Sequence, residues 1–287
     1  MALLLKIMEG INMDEIRITG LEVFAHHGVY ESEAVNGQKF IINATLFCDT
    51  QAAANTDCLE DTIDYGAVSL HINEYMTKNR YNLIETVANN MARSILKKFT
   101  DIRKIKLEIC KPEAPIPLPF KDVSVTVERS WHKAYIAGGS NMGDSEGYIE
   151  DAMENLDADE CINIISKSDF VKSKAYGGVE QEDFTNNVFV IETLYNPYEL
   201  LEKLHYEEKK AGRERLVHWG PRTLDLDILY YDDLVMDEKT LTIPHREISK
   251  RDFVLLPLSE AAPYKTHPVN GMTAKEMLNE LTDNYVI

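Results

Sequence analysis

Two aspartates, Asp225 and Asp227, stand two residues apart in "HWGPRTLDLDILYY". In an extended chain successive side chains alternate faces, so both carboxylates share one face while Leu224, Leu226 and Ile228 point to the other. Two like charges about 6 Å apart repel by roughly 3 kcal/mol at an effective dielectric near 20. A divalent cation removes that repulsion, and hard oxygen ligands suit Mg²⁺. For a bare pair of this kind a solvated strand face is the plainer reading. The neighbours favour chemistry: "GRERLVHWGPR" brings Arg213, Arg215, His218 and Arg222, and "IPHREISKRDFVLLPL" brings His245, Arg246, Lys250 and Arg251. Guanidinium groups beside a metal-binding carboxylate pair describe a polyphosphate site, where cations neutralise charge in the transition state.

A second candidate lies far upstream. In "KIKLEICKPEAPIP", period two places Lys111 on the face of Ile105, Leu107 and Ile109. Such a lysine either snorkels to solvent or stays partly desolvated, a state suited to general base work. Glu85 opens a helical pattern, where an acidic side chain complements the helix dipole. Tyr65 and Glu33 carry little meaning alone. "GGSNMG" fits neither common nucleotide fingerprint and reads as a turn between strand and helix. Asp232, Asp233 and the acidic run 150–160 read as solvated surface.

The elements that must position these residues fall into two sets. "EIRITGLEVFAHHG" and "QKFIINATLFCDT" alternate as strands around the turn-like "VNGQ". "DYGAVSLHINEYMTKN" sets Val68, Ile72 and Tyr75/Met76 on one helical face, and "NLIETVANNMARSILKKF" does the same with Ile84, Val87, Met91 and Ile95. Strands "KIKLEIC" and "VSVTVERSW" follow, which predicts an antiparallel sheet packed on two helices. The pattern restarts at "KAYIAGGSNMG" with a strand and a helix. Strands "SDFVKSKAYG" and "DFTNNVFVIETLY", helix "NPYELLEKLHYEEKKAG", the strand of the paired aspartates and a turn at "YYDDLVMDEK" complete an α+β half.

Length and charge bound the rest. At 287 residues the chain exceeds one average domain. Its net charge is −18, with 15 Lys+Arg against 18 Asp+Glu through residue 133 and 15 against 30 beyond. Such a surface repels nucleic acid and anionic lipid, so neither is an expected partner. Cys48, Cys58, Cys110 and Cys161 form no CxxC pair and read as reduced thiols of a cytoplasmic protein. "MALLLKIMEGIN" is too short in apolar residues for a signal peptide, and Met13 is the expected functional start, with residues 1–12 a dispensable extension. No stretch reaches the roughly 20 apolar residues of a membrane helix.

From "AYIAGGSNMGD" to about Pro268, "WGPRTLDLDI" with "PHREISKRDFVLLPLSEAAP" resembles the signature of 6-hydroxymethyl-7,8-dihydropterin pyrophosphokinase. The resemblance implies a ferredoxin-like α+β domain over 134–287 that transfers pyrophosphate from ATP to a pterin alcohol and releases AMP. It implies that Asp225 and Asp227 hold two Mg²⁺ ions, with Asp227 among the catalytic groups. Arg213 and Arg222 would serve the reaction centre. His245, Arg251, Glu208 and Arg222 would bind ATP. Phe184 and Phe253 would sandwich the pterin while Asn186 reads its edge, with Trp219 beside them; stacking a flat heterocycle between two rings is physically sensible.

Over roughly residues 13–131, "HHGVYESEAVNGQKF", "TIDYGAVS", "NLIETVA" and "KPEAPIP" resemble dihydroneopterin aldolase in order and spacing. That implies a tunnelling fold and cleavage of 7,8-dihydroneopterin to glycolaldehyde and 6-hydroxymethyl-7,8-dihydropterin, with no cofactor. Lys111 would act as general base, Tyr65 would assist proton transfer, and Glu33 would line the side-chain end of the pocket. Glu85 would grip the pterin's guanidine-like edge with two hydrogen bonds, and Ile84 would offer backbone contacts. The substrate has no ketone for an imine, so no covalent intermediate is expected. The resemblance also implies a homo-oligomer assembled through this domain. A pterin epimerase, an oxidase or a non-catalytic pterin-binding domain in the first half is the alternative.

Overall fold

The computed structural model describes residues 13–175, 181–213, 221–282 and 284–287. The chain divides into two compact units, Met1–Trp131 and His132–Ile287.

In the first unit, β1 (Asp14–Ala25), α1 (Glu31–Asn36), β2 (Gln38–Cys48), α2 (Gln51–Thr56), α3 (Tyr65–Lys78), α4 (Ile84–Lys98), β3 (Lys104–Cys110) and β4 (Ser124–Ser130) follow in order. The strands form one antiparallel sheet in the order β1-β2-β3-β4. Alternation sets the buried face: Phe40, Ile42, Ala44, Leu46 and Cys48 of β2, and Ile105, Leu107 and Ile109 of β3, all point inward. Val68, Ile72 and Met76 of α3, with Val87, Met91 and Ile95 of α4, cover them at helical spacing. Asp64 caps α3 by accepting the Ala67 N–H.

The second unit comprises β5 (His132–Ser140), α5 (Ser145–Asp157), β6 (Ile162–Lys167), β7 (Val171–Ser173), β8 (Phe184–Thr193), α6 (Pro197–Lys210), β9 (Asp225–Tyr231), β10 (Met236–Asp237), β11 (Thr242–Ile243), α7 (Asp252–Ala261) and α8 (Ala274–Glu280). Its main sheet runs β6-β8-β5-β9, antiparallel throughout, with β7 on β8 and β10-β11 apart. One apolar cluster includes Ile149, Met153, Leu200, Leu204, Leu226 and Ile228. The other includes Val188, Val190, Leu229, Val254 and Leu258. The unit is thus an α+β sheet with helices on both faces.

Several expectations are corrected. Gly138 and Gly139 lie inside β5 rather than in a turn, which begins after Ser140. A Cβ on Gly138 would stand 2.6 Å from the Asn187 amide oxygen, so close strand packing, not a loop, demands that glycine. The strand over "SDFVKSKAYG" shortens to Val171–Ser173, and residues 176–180 lie outside the described residues. Strand β6 and helices α7 and α8 were not expected from periodicity; α7 carries Pro257 inside it, which masks its helical pattern. Asp232 and Asp233 are exposed, as expected of solvated surface, and both are paired: Asp232 accepts from His132 Nδ1 at 2.7 Å, and Asp233 meets Lys265 at 2.5 Å.

Candidate active sites

Lys111 does not snorkel. It follows β3 directly, and its ammonium lies 2.5 Å from Glu33 Oε1, the two side chains being 11% and 7% exposed. Glu33 sits in α1, and its carboxylate also accepts the Tyr30 N–H and the Gln38 Nε2–H, each at 3.0 Å. Burial alone would push the Glu33 carboxyl up. The hydrogen bonds from Lys111, Tyr30 and Gln38, with the Lys111 charge, outweigh it and hold the group below its ordinary range. Gly28 makes this possible: its φ of +151° is rare for other residues, and a Cβ there would stand 2.2 Å from the Glu33 carboxylate.

Behind the pair, His27 is fully buried. Its Nδ1 accepts the Tyr81 N–H at 3.2 Å, while the Gly28 N–H donates to Tyr81 O at 3.1 Å. The segment carrying Glu33 is therefore tied to the α3–α4 connection that leads to Ile84 and Glu85. Burial lowers the His27 pKa to about 4. Ile84 is buried in the first turn of α4, and Glu85 beside it is exposed. Tyr65 opens α3 with 63% of its surface exposed. Neither Tyr65 nor Glu85 hydrogen-bonds to the Lys111–Glu33 pair among the described residues.

In the second unit, β9 holds Asp225 and Asp227 as expected, with Leu226 and Ile228 buried on the opposite face. Asp225 Oδ1 meets Arg213 at 2.6 Å, and Oδ2 is bound by Arg222. Arg213 also pairs with Glu208 of α6, whose Oε1 accepts the Leu226 N–H at 2.9 Å. Glu208 therefore joins helix to strand as well as orienting the guanidinium. Asn141 pins Arg222 from the β5 side: its Oδ1 accepts the Arg222 N–H at 2.9 Å, and its own N–H donates to Arg222 O at 3.1 Å.

Asp227 is more open, with 43% of its side chain exposed and His245 Nε2 at 3.9 Å from Oδ2. His245 Nδ1 accepts the Glu247 N–H, which turns Nε2 toward the aspartate. Crowding of the carboxyl by protein and the Asp225 charge push the Asp227 pKa up, against His245, Arg251 and Arg222. An open cavity of about 250 Å³ lies beside Arg213, lined by His205, Glu208, Lys209 and Arg213.

Among the described residues no cluster of three or more His, Cys, Asp or Glu side chains could hold a metal ion. Two carboxylates still fit Mg²⁺, which is commonly held by one or two carboxylates with substrate phosphates completing its shell. Arg251 lies 5.9 Å from the Phe253 ring, and Phe253 packs against the core that contains Val188. Phe184 opens β8 opposite Ser173, and Asn186 Nδ2 donates to Ser173 Oγ at 2.9 Å. Trp219, His218 and Arg215 lie outside the described residues.

A family model of dihydroneopterin aldolase matches residues 16–128, and one of 7,8-dihydro-6-hydroxymethylpterin-pyrophosphokinase matches residues 135–263. The pyrophosphokinase of Aquifex aeolicus is 41% identical over 148 residues, covering 52% of this chain and 91% of that protein. The chain belongs to the pyrophosphokinase family, with a dihydroneopterin aldolase domain ahead of it. The bifunctional protein FolKE of Lactococcus lactis is 46% identical over 126 residues, 44% of this chain and 36% of that protein. The folic acid synthesis protein of Dictyostelium discoideum is 29% identical over 292 residues, 92% of this chain and 44% of that protein. The chain thus spans less than half the length of these last two relatives. No described helix is long and apolar enough to cross a membrane.

Sequence reasoning did not single out His27, Gln38, Asn141 or Asp252. Gln38 had a legible signal, because it shares period-two parity with Phe40 and Ile42 and so lands on the buried face. His27 and Asn141 act through loop contacts that no periodicity reports.

Proposed function

We propose that the chain catalyses two consecutive steps of folate synthesis: cleavage of 7,8-dihydroneopterin, then pyrophosphoryl transfer from ATP to the resulting 6-hydroxymethyl-7,8-dihydropterin. The observation that carries this reading is the tandem of the two domains, since the product of the first is the alcohol consumed by the second.

In the aldolase domain, residues 13–131, Lys111 as the neutral amine takes the proton of the side-chain hydroxyl through water and becomes the ammonium that faces Glu33, with Tyr65 assisting. The carbon–carbon bond then breaks, its electrons enter the ring C=N, and glycolaldehyde leaves. Protonation of the resulting enamine carbon gives the hydroxymethyl product. Glu33 holds the ammonium of Lys111 in place, Glu85 grips the pterin edge, and Ile84 offers backbone contacts. This domain needs no cofactor. Its exposed Phe24, Val29, Val35, Leu70 and Leu83 support assembly into a homo-oligomer through this domain.

In the pyrophosphokinase domain, residues 134–287, Asp225 and Asp227 would hold two Mg²⁺ ions against ATP. Bound there, the metal supplies charge neutralisation for the transferring group. Arg213 and Arg222 bind the phosphates at the reaction centre, while His245, Arg251 and Glu208 shape the ATP seat. Asp227 also helps deprotonate the pterin hydroxyl. Phe184 and Phe253 stack on the pterin and Asn186 reads its edge, with Trp219, outside the described residues, also assigned to substrate binding. The protein works in the cytoplasm.

The test incubates pure protein with dihydroneopterin, ATP and Mg²⁺ and follows glycolaldehyde and AMP. Both products are expected. AMP from added hydroxymethyldihydropterin without glycolaldehyde from dihydroneopterin would sink the aldolase half of the reading, and the converse would sink the kinase half.

A further inference from the structure

Tyr285–Ile287, a short tail beyond α8, is fastened beside the proposed pterin pocket. Lys174 N–H donates to Tyr285 O at 2.8 Å, and Ile287 N–H donates to Lys172 O at 3.0 Å. Ser173 and Val286 form an antiparallel bridge, so the tail lies along β7 as an added strand. Ser173 is almost fully buried, and its hydroxyl receives the Asn186 amide. The tail thus pairs with the residue that orients the pterin-edge reader.

A second fastening comes from α7. Asp252 is 3% exposed, and among the described residues its carboxylate accepts from three backbone N–H groups. One oxygen accepts Phe253 N–H at 2.8 Å. The other accepts Tyr285 N–H at 2.7 Å and Val286 N–H at 2.9 Å. A buried carboxylate is costly unless its hydrogen bonds are satisfied, and here two of three partners lie on the tail. The clasp sets the Tyr285 ring edge-on to Phe253, with centroids 6.2 Å apart and planes at 88°. That is a favourable aromatic arrangement, and it restrains one ring through the other.

We propose that Asp252 and Tyr285 are positioning residues of the pyrophosphokinase domain, through which this tail sets Phe253 and Asn186 for the pterin ring. The inference rests on the pyrophosphokinase reading above. It assigns the tail a role in pterin affinity rather than in ATP binding, because the contacts that fasten it among the described residues fall on β7, Asp252 and Phe253.

The test measures KM for hydroxymethyldihydropterin and for ATP, with kcat and the thermal midpoint, on the full chain. Tyr285→Leu is expected to raise the pterin KM about fivefold, with kcat, the ATP KM and the midpoint within error of wild type. Tyr285→Phe keeps the ring and is expected to restore the wild-type pterin KM. Asp252→Asn is expected to shift the pterin KM in the same direction; if it does not fold, the Tyr285 pair decides alone. An unchanged pterin KM in Tyr285→Leu overturns the inference, as does an equal rise in both KM values, which would mark general loosening. In either case an active wild type leaves the pyrophosphokinase reading standing. A wild type that releases no AMP from ATP and hydroxymethyldihydropterin overturns both.

Discussion

At the scale of the residue, each site is organised by a carboxylate whose cost of placement is met by a cation. In the aldolase domain the Lys111–Glu33 pair is buried on both sides, so removing one charge leaves the other uncompensated. Glu33→Gln is therefore expected to destabilise this domain by about 3 kcal/mol and to depress glycolaldehyde release. Chemical unfolding and a glycolaldehyde assay check it, and an unchanged midpoint would count against a true ion pair. In the pyrophosphokinase domain Asp225 holds two guanidinium groups at once. Asp225→Ala should reduce AMP formation by at least about a hundredfold, the scale typical of removing an electrostatic stabiliser, while glycolaldehyde release continues. Loss of both products would point to misfolding instead.

At the scale of the element, the aldolase site depends on how two loops are joined. His27 and Gly28 exchange hydrogen bonds with Tyr81, which links the approach to α1 with the approach to α4. Burial holds His27 near pKa 4, against about 6.5 in an unfolded chain. The unfolded state therefore binds the extra proton first, so stability is full above pH 6.5 and falls as pH drops toward 4. The loss amounts to about 3 kcal/mol for this fully buried ring. The lowered Glu33 carboxyl acts in the same direction at still lower pH, because its contribution disappears as pH falls through its folded value. Urea unfolding of this domain between pH 7 and 4 should show that slope, and His27→Gln should flatten it. Equal slopes in both proteins would exclude His27 as the source. In the pyrophosphokinase domain the corresponding joint is Glu208, which ties α6 to β9 through Leu226 while holding Arg213.

At the scale of the whole molecule, the two activities should separate cleanly. EDTA is expected to stop AMP formation and spare glycolaldehyde release, since the proposed metal ligands, Asp225 and Asp227, belong to the second site. Equal loss of both would contradict a metal-free retro-aldol step. The exposed apolar residues of the aldolase domain predict a native mass of several chains by light scattering. Leu70→Glu together with Val35→Glu should lower that mass and reduce glycolaldehyde release, leaving AMP formation in place. A wild-type chain that scatters as a monomer would refute the assembly.

Alternation and helical spacing alone determined the strands around Lys111 and Asp225, the helices carrying Tyr65 and Glu85, and the α+β character of both halves. These are local consequences of burying one face of each element. Periodicity was silent on β6 because the exposed Ile165 and a register shift after Ile164 break its short alternation, and on α7 because Pro257 interrupts a helical run. Only the tertiary structure decided that Lys111 turns inward onto Glu33, that Asn141 grips Arg222 across 81 residues, and that Asp252 fastens the tail. Those contacts join residues distant in sequence through loops, where conformation follows from what each polar group must pair with once water is excluded.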